Sequence, residues 1–201
     1  MTKWSAANHR MSRWFSAYGF AEVHDQLLIG AYPLDEQDVD TLVSIGVQRV
    51  LNLVEDEEYS PGERETAAAA LTAAGIEEHR LRLTDFGGLP AEAIEEAVRE
   101  VSNWLDEGVR AYLHCRAGRQ RSAAVAAGVI ALREGIEIDP GLVLLQARKP
   151  SADPLPHQRE DLRRWWHGRR ETPDDARSYE QGRCRDERLS GHLQPPFGHG
   201  T

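Results

Sequence analysis

Short apolar runs alternate with helical patterns from residue 27 to residue 166, and this alternation restricts the chain more than any other feature. Leu27–Tyr32, Val47–Val54, Ile76–Leu83 and Val109–His114 read as strands. Between and after them, Asp35–Ile45, Glu63–Ala74, Ala91–Glu107 and Ser122–Glu134 carry apolar residues at helical spacing. Several end in glycine, as Gly46, Gly75, Gly108 and Gly135 do, where the backbone must turn left-handed to leave a helix. Pro140–Arg148 and His157–Trp166 read as two more helices. Strands interleaved with helices predict an α/β domain with a central, mainly parallel sheet flanked by helices.

The predicted domain spans residues 20–168. Residues 1–19 form an N-terminal extension without acids, in which Lys3, Arg10 and Arg13 sit among Trp4, Trp14, Phe15 and Tyr18. It reads as a coil whose aromatics dock on the domain, with a peripheral membrane contact or a targeting segment as alternatives. Residues 169–201 read as a disordered tail, since apolar residues thin out there while Pro, Gly and charge accumulate.

Charge and cysteine content narrow the function classes. Acids outnumber bases 33 to 24, which argues against a nucleic-acid binder. A local cluster of arginines still permits an anionic substrate. The longest apolar runs, such as Ala123–Leu132, are too short for an integral membrane segment. Two cysteines, Cys115 and Cys184, cannot build a disulfide scaffold, so a reducing cytoplasm is expected. The eight histidines show no ligand spacing, and neither a metal nor another cofactor is expected.

The chemistry concentrates in residues 114–122. A strand ends at His114; Cys115, Arg116, Ala117, Gly118, Arg119 and Gln120 form a loop; Arg121 and Ser122 open a long helix. Consecutive amides in such a loop can point inward as an anion nest, and the helix N-terminus behind them adds unpaired N–H groups. The same donors favour a thiolate at Cys115, facing a bound phosphate as a nucleophile aimed at phosphorus. Arg121 can grip two phosphate oxygens with its planar fork. Ser122 can hydrogen-bond the sulfur and ease its departure. The proton for the leaving oxygen is assigned to Asp85, on the Gly-bearing loop Leu83–Pro90 that follows a strand. Asp25, Asp35 and the acidic run Glu55–Glu58 are its rivals.

The string from His114 to Ser122 resembles the His-Cys-x5-Arg-Ser/Thr signature of the cysteine-based protein tyrosine phosphatases, in their dual-specificity branch. Three segments are similar to the mitochondrial dual-specificity-like subgroup acting on phosphatidylglycerophosphate: Leu27–Leu34, Asp56–Tyr59 and Arg82–Pro90. The resemblance implies Cys115 as nucleophile, Arg121 as phosphate clamp, Ser122 as thiolate helper, Asp85 as general acid and His114 as a buried residue that orders the loop. Arg116, Ala117, Gly118, Arg119 and Gln120 would line the substrate phosphate. Gln120 departs from the usual small residue and narrows the rim. The implied substrate is a phosphorylated protein, with a phospholipid or inositol phosphate as the alternative, because Arg116 and Arg119 add rim charge. A silent phosphate-binding module would need a broken constellation. A redox enzyme would need Cys184 as its resolving partner.

Overall fold

The computed structural model describes residues 11–170, so most of the expected tail, with Cys184, and the first ten residues of the extension lie outside the described residues. In chain order the elements are α1 (Arg13–Tyr18), β1 (Phe20–His24), β2 (Leu27–Gly30), α2 (Glu36–Ser44), β3 (Arg49–Asn52), α3 (Glu63–Ala73), β4 (Glu77–Arg80), α4 (Ala91–Asp106), β5 (Ala111–His114), α5 (Arg121–Glu134), α6 (Ile138–Arg148) and α7 (Pro156–Arg170). A short 3-10 turn, Asp56–Glu58, follows β3.

The strand order is β1-β2-β5-β3-β4. β5 is central and runs parallel to both β2 and β3, while β3 and β4 are also parallel. β1 alone is antiparallel, pairing with β2 as a hairpin. Side chains alternate between the two faces of a strand, and both faces here are covered. Leu27, Ile29, Leu51, Ala111 and Leu113 face a core completed by α4, α5, α6 and α7. Leu28, Val50 and Tyr112 face the other core, completed by Phe15 of α1, Val39 and Leu42 of α2, and Leu71 of α3. Burial on both faces explains why the central strands read as continuous apolar runs rather than alternating ones.

Three expectations change. Residues 13–18 of the extension form a helix, not a coil, because Ser12 caps it by accepting from the Phe15 amide and the Phe15 ring is fully buried. β1 was not expected as a strand. Of its five residues only Val23 is buried, so it carries almost no hydrophobic signal, as befits an edge strand. The third predicted strand, Ile76–Leu83, is also narrower, since the ladder covers only Glu77–Arg80 at the opposite edge.

The register places the chemistry. Gly30, His114 and Asn52 lie side by side at the carboxyl ends of β2, β5 and β3. The loop after β5 therefore opens at the C-terminal edge of the sheet, where ligand sites of open α/β folds form. Behind it, α5 is buried without interruption from Arg121 to Ala131, packed against α4, α6 and α7. A Cβ on Gly128 would stand 2.9 Å from Val98 of α4, so the glycine allows the close crossing of the two helices.

Candidate active site

Residues 115–120 bend from β5 into α5 across a tight contact with β2. Gly118 has φ +67°, a left-handed backbone that favours glycine. A Cβ there would also meet the Gly30 backbone carbon at 2.5 Å. The loop is pinned to the same strand end by the Ala31–Ala117 bridge and by the Tyr32 amide, which donates to the Arg116 carbonyl at 3.2 Å. Gln120, the residue before α5, supplies no side-chain cap, which leaves the first helical amides open to an anion.

Cys115, Arg116, Ala117, Arg119, Gln120 and Arg121 line one cavity of about 490 Å³, together with Asp85 and the aromatics Trp14, Tyr18 and Phe86. Cys115 is 3% exposed and sits at its floor rather than at its mouth. Burial pushes its thiol up. The Arg121 charge, the Ser122 hydroxyl and the amides of Ser122 and Gln120 pull it down by more, so the thiol lies below its ordinary range. Ser122 Oγ is 3.3 Å from the sulfur. The pH midpoint for alkylation of Cys115 by iodoacetamide should therefore lie below about 8.5, the ordinary cysteine midpoint. Ser122→Ala should move that midpoint upward, and an ordinary midpoint in the native protein would contradict the electrostatics described here.

Arg121 is buried beneath the loop at 1% exposure. Its Nη1 and Nη2 donate to the two oxygens of Glu58 at 2.5 and 2.7 Å, a bidentate fork. Nη1 also donates to the Leu83 carbonyl at 2.8 Å, and Nη2 lies 2.9 Å from Asp85 Oδ1. Its Nε is buried and has no partner among the described residues. A clamp held on one side with a donor left open on the other is suited to an oxyanion.

His114 is buried, and desolvation, with the Arg64, Arg121 and Arg80 charges, lowers its pKa to about 3. It is thus neutral near pH 7 and can donate through Nδ1 to the Cys115 carbonyl, 3.3 Å away. In the unfolded chain the ring titrates near 6.5. The unfolded state then binds the extra proton, so this contribution to stability falls as pH drops below about 6.5.

Asp85 sits on a loop held from two sides. Glu55 accepts from the Thr84 hydroxyl at 3.0 Å and from the Asp85 amide at 3.3 Å. From α7, Gln158 donates to the Gly87 carbonyl at 3.0 Å, and Asp161 accepts from the Leu89 amide at 2.8 Å. The rival acids are placed otherwise. Glu55 and Glu58 brace the loop and Arg121, Asp35 accepts from the Asp38 amide at the start of α2, and Asp25 precedes β2 at the far end of the sheet.

The structure thus brings Cys115, Arg121, Asp85 and Ser122 together. The sequence reading left two participants unassigned. Glu58 was only one acid in a run of several, and nothing in its spacing marked it as the partner of Arg121. Trp14 lines the cavity from the extension; its only signal was the cluster of aromatics there.

Comparison with known proteins follows the same lines. A family model described as Tc-R-P, a polymorphic toxin system DSP-PTPase phosphatase, matches residues 32–135. The phosphatidylglycerophosphatase and protein-tyrosine phosphatase 1 of Mus musculus is 28% identical over 112 residues, covering 55% of this chain and 57% of that protein. Its Homo sapiens counterpart is 26% identical over 112 residues, covering 55% of each. The chain therefore spans little more than half the length of these curated relatives. The crystal structure of Tk-PTP in its active form is 25% identical, with TM-score 0.61 over 72% of this chain and 95% of that one. PTPMT1 in complex with PI(5)P is similar in fold, with TM-score 0.62, 21% identity, and coverage of 73% and 93%.

Proposed function

The chain belongs to the DSP-PTPase phosphatase family of polymorphic toxin systems, and from that premise we propose that it hydrolyses phosphate monoesters through a phosphocysteine on Cys115. The observation that carries the proposal is the shared cavity, lined by a thiol held below its ordinary pKa and by a buried arginine whose Nε has no partner among the described residues.

The substrate phosphate seats on the amides of residues 116–121 and on the unpaired Nε–H of Arg121, whose Nη1 and Nη2 are held by Glu58. The Cys115 thiolate forms a bond to phosphorus, and the bond from phosphorus to the ester oxygen breaks. Asp85 supplies a proton to that oxygen, which leaves as an alcohol. Water then attacks phosphorus, Asp85 takes its proton, and the sulfur departs as thiolate with the Ser122 hydroxyl donating to it. Arg121 stabilises the charge spread over the phosphoryl oxygens in both transfers. No metal is required by this scheme. A thiolate nucleophile must stay reduced, which favours a cytoplasmic setting.

The favoured substrates are phosphorylated side chains of proteins. A phospholipid is the second reading, supported by the names of the curated relatives and by Arg116 and Arg119 on the cavity wall. Asp85→Asn tests the proposal. Turnover of a phosphoserine peptide, whose leaving oxygen needs a proton, should fall about 10²- to 10⁴-fold. Turnover of p-nitrophenyl phosphate, whose leaving group needs none, should fall far less. Equal losses on the two substrates would remove Asp85 from the role of acid.

A further inference from the structure

The extension is built into the catalytic cavity. Trp14 and Tyr18 of α1 line it beside Cys115, Arg116 and Arg121. α1 is fastened by contacts that come from distant parts of the chain. Ser12 donates through its amide and hydroxyl to the buried Asp38 carboxylate at 2.8 and 2.7 Å. The Phe15 ring is fully buried, 5.7 Å from Phe20 and 6.4 Å from Tyr112. At the other end, the Lys149 ammonium donates to the Tyr18 carbonyl at 3.1 Å. This is a fixed wall rather than a loose strap.

Trp14 is the centre of that wall. Its ring lies 4.4 Å from Tyr18 and 5.4 Å from Tyr32, which meets Tyr59 edge-on at 5.2 Å. The Arg116 guanidinium stands 5.6 Å from the Trp14 ring centroid, so a residue of the phosphate loop is itself braced on the indole. The indole Nε1 is buried without a hydrogen-bond partner among the described residues. That unmet donor is a cost a phenylalanine would avoid. What the position uses is the broad aromatic face.

We infer that Trp14 is a specificity-determining residue, its ring forming the wall against which the carrier of the phosphate packs, and that it favours a flat aromatic leaving group over an aliphatic one. The inference rests on the phosphatase reading above. In-line displacement puts the ester oxygen on the side of phosphorus away from the Cys115 sulfur, and Trp14, Tyr18 and Phe86 line the same cavity as Cys115 and Arg121. A planar ring gains stacking and edge contacts there that a short aliphatic carrier cannot make.

The test compares the native protein with Trp14→Phe and Trp14→Leu. Steady-state kcat and KM are measured on one peptide carrying phosphotyrosine or phosphoserine, and on vesicles containing phosphatidylglycerophosphate. Trp14→Leu should lower the phosphotyrosine-to-phosphoserine ratio of kcat/KM about five- to tenfold, mainly through KM. Trp14→Phe should keep the ratio within about twofold of native. An unchanged ratio in Trp14→Leu overturns the inference, as does a phenylalanine variant as impaired as the leucine one. Losses confined to the vesicles also overturn it and make Trp14 a lipid contact. A native protein inert towards every monoester would instead bring down the phosphatase reading itself.

Discussion

Cys115→Ser is expected to lower turnover of an aryl phosphate by at least about 10⁴-fold while leaving the fold and phosphate binding in place. The substitution exchanges one small buried group for another, beside a hydroxyl 3.3 Å away that can hydrogen-bond either. What it removes is the ionised nucleophile. Arg121 and the amides around residue 115 lower a thiol into a useful range, but a serine hydroxyl starts too far above that range to be ionised by the same field. The amides of the loop and the guanidinium remain, so inorganic phosphate or tungstate should still bind by calorimetry. Melting temperature should move by no more than about 4 °C, equivalent to at most about 2 kcal/mol. Residual turnover above about 1% of native would falsify a covalent role for Cys115.

Arg121→Lys should cost about 10³-fold in kcat/KM, with the charge retained. A lysine keeps a cation opposite Glu58 and Asp85, so neither carboxylate is stranded without a counter-charge. It cannot reproduce the fork that donates to both Glu58 oxygens while leaving Nε–H open. Stabilisation of charge on several phosphoryl oxygens depends on that planar set of donors. The loss should appear in kcat and in weaker phosphate affinity together, with circular dichroism unchanged. A lysine variant retaining more than about a tenth of native kcat/KM would show that net charge suffices and the fork does not matter.

The parts of the site that were legible in the sequence are those separated by one turn of chain. Cys115, Gly118, Arg121 and Ser122 belong to a single strand–loop–helix, and their geometry follows from how a strand passes into a helix through a glycine. Asp85 was readable because it sits on a glycine-bearing loop after a strand, and its loop does reach the cavity. Glu58 was not readable. Its bond to Arg121 joins residues 63 apart and exists because β3 lies beside β5 in the sheet. The acidic run after β3 offered several equivalent carboxylates, and only the 3-10 turn at Asp56–Glu58 decides which one turns inward. Trp14 was masked for a similar reason. A short aromatic stretch before the first strand has no periodicity that says which wall it joins.

Legible along the chain alone were the alternating strands and helices, the apolar runs of the central strands, and the loop with its cysteine and arginine. These rest on local backbone preference and on the period of apolar residues, which need no distant partner. The strand order, the antiparallel edge strand β1, the choice of Glu58 to hold Arg121, and the placement of α1 against the cavity emerge only in the folded arrangement. Each of those depends on which surfaces find one another when the two cores close, and a pairing of surfaces far apart in the chain leaves no periodic mark on either one.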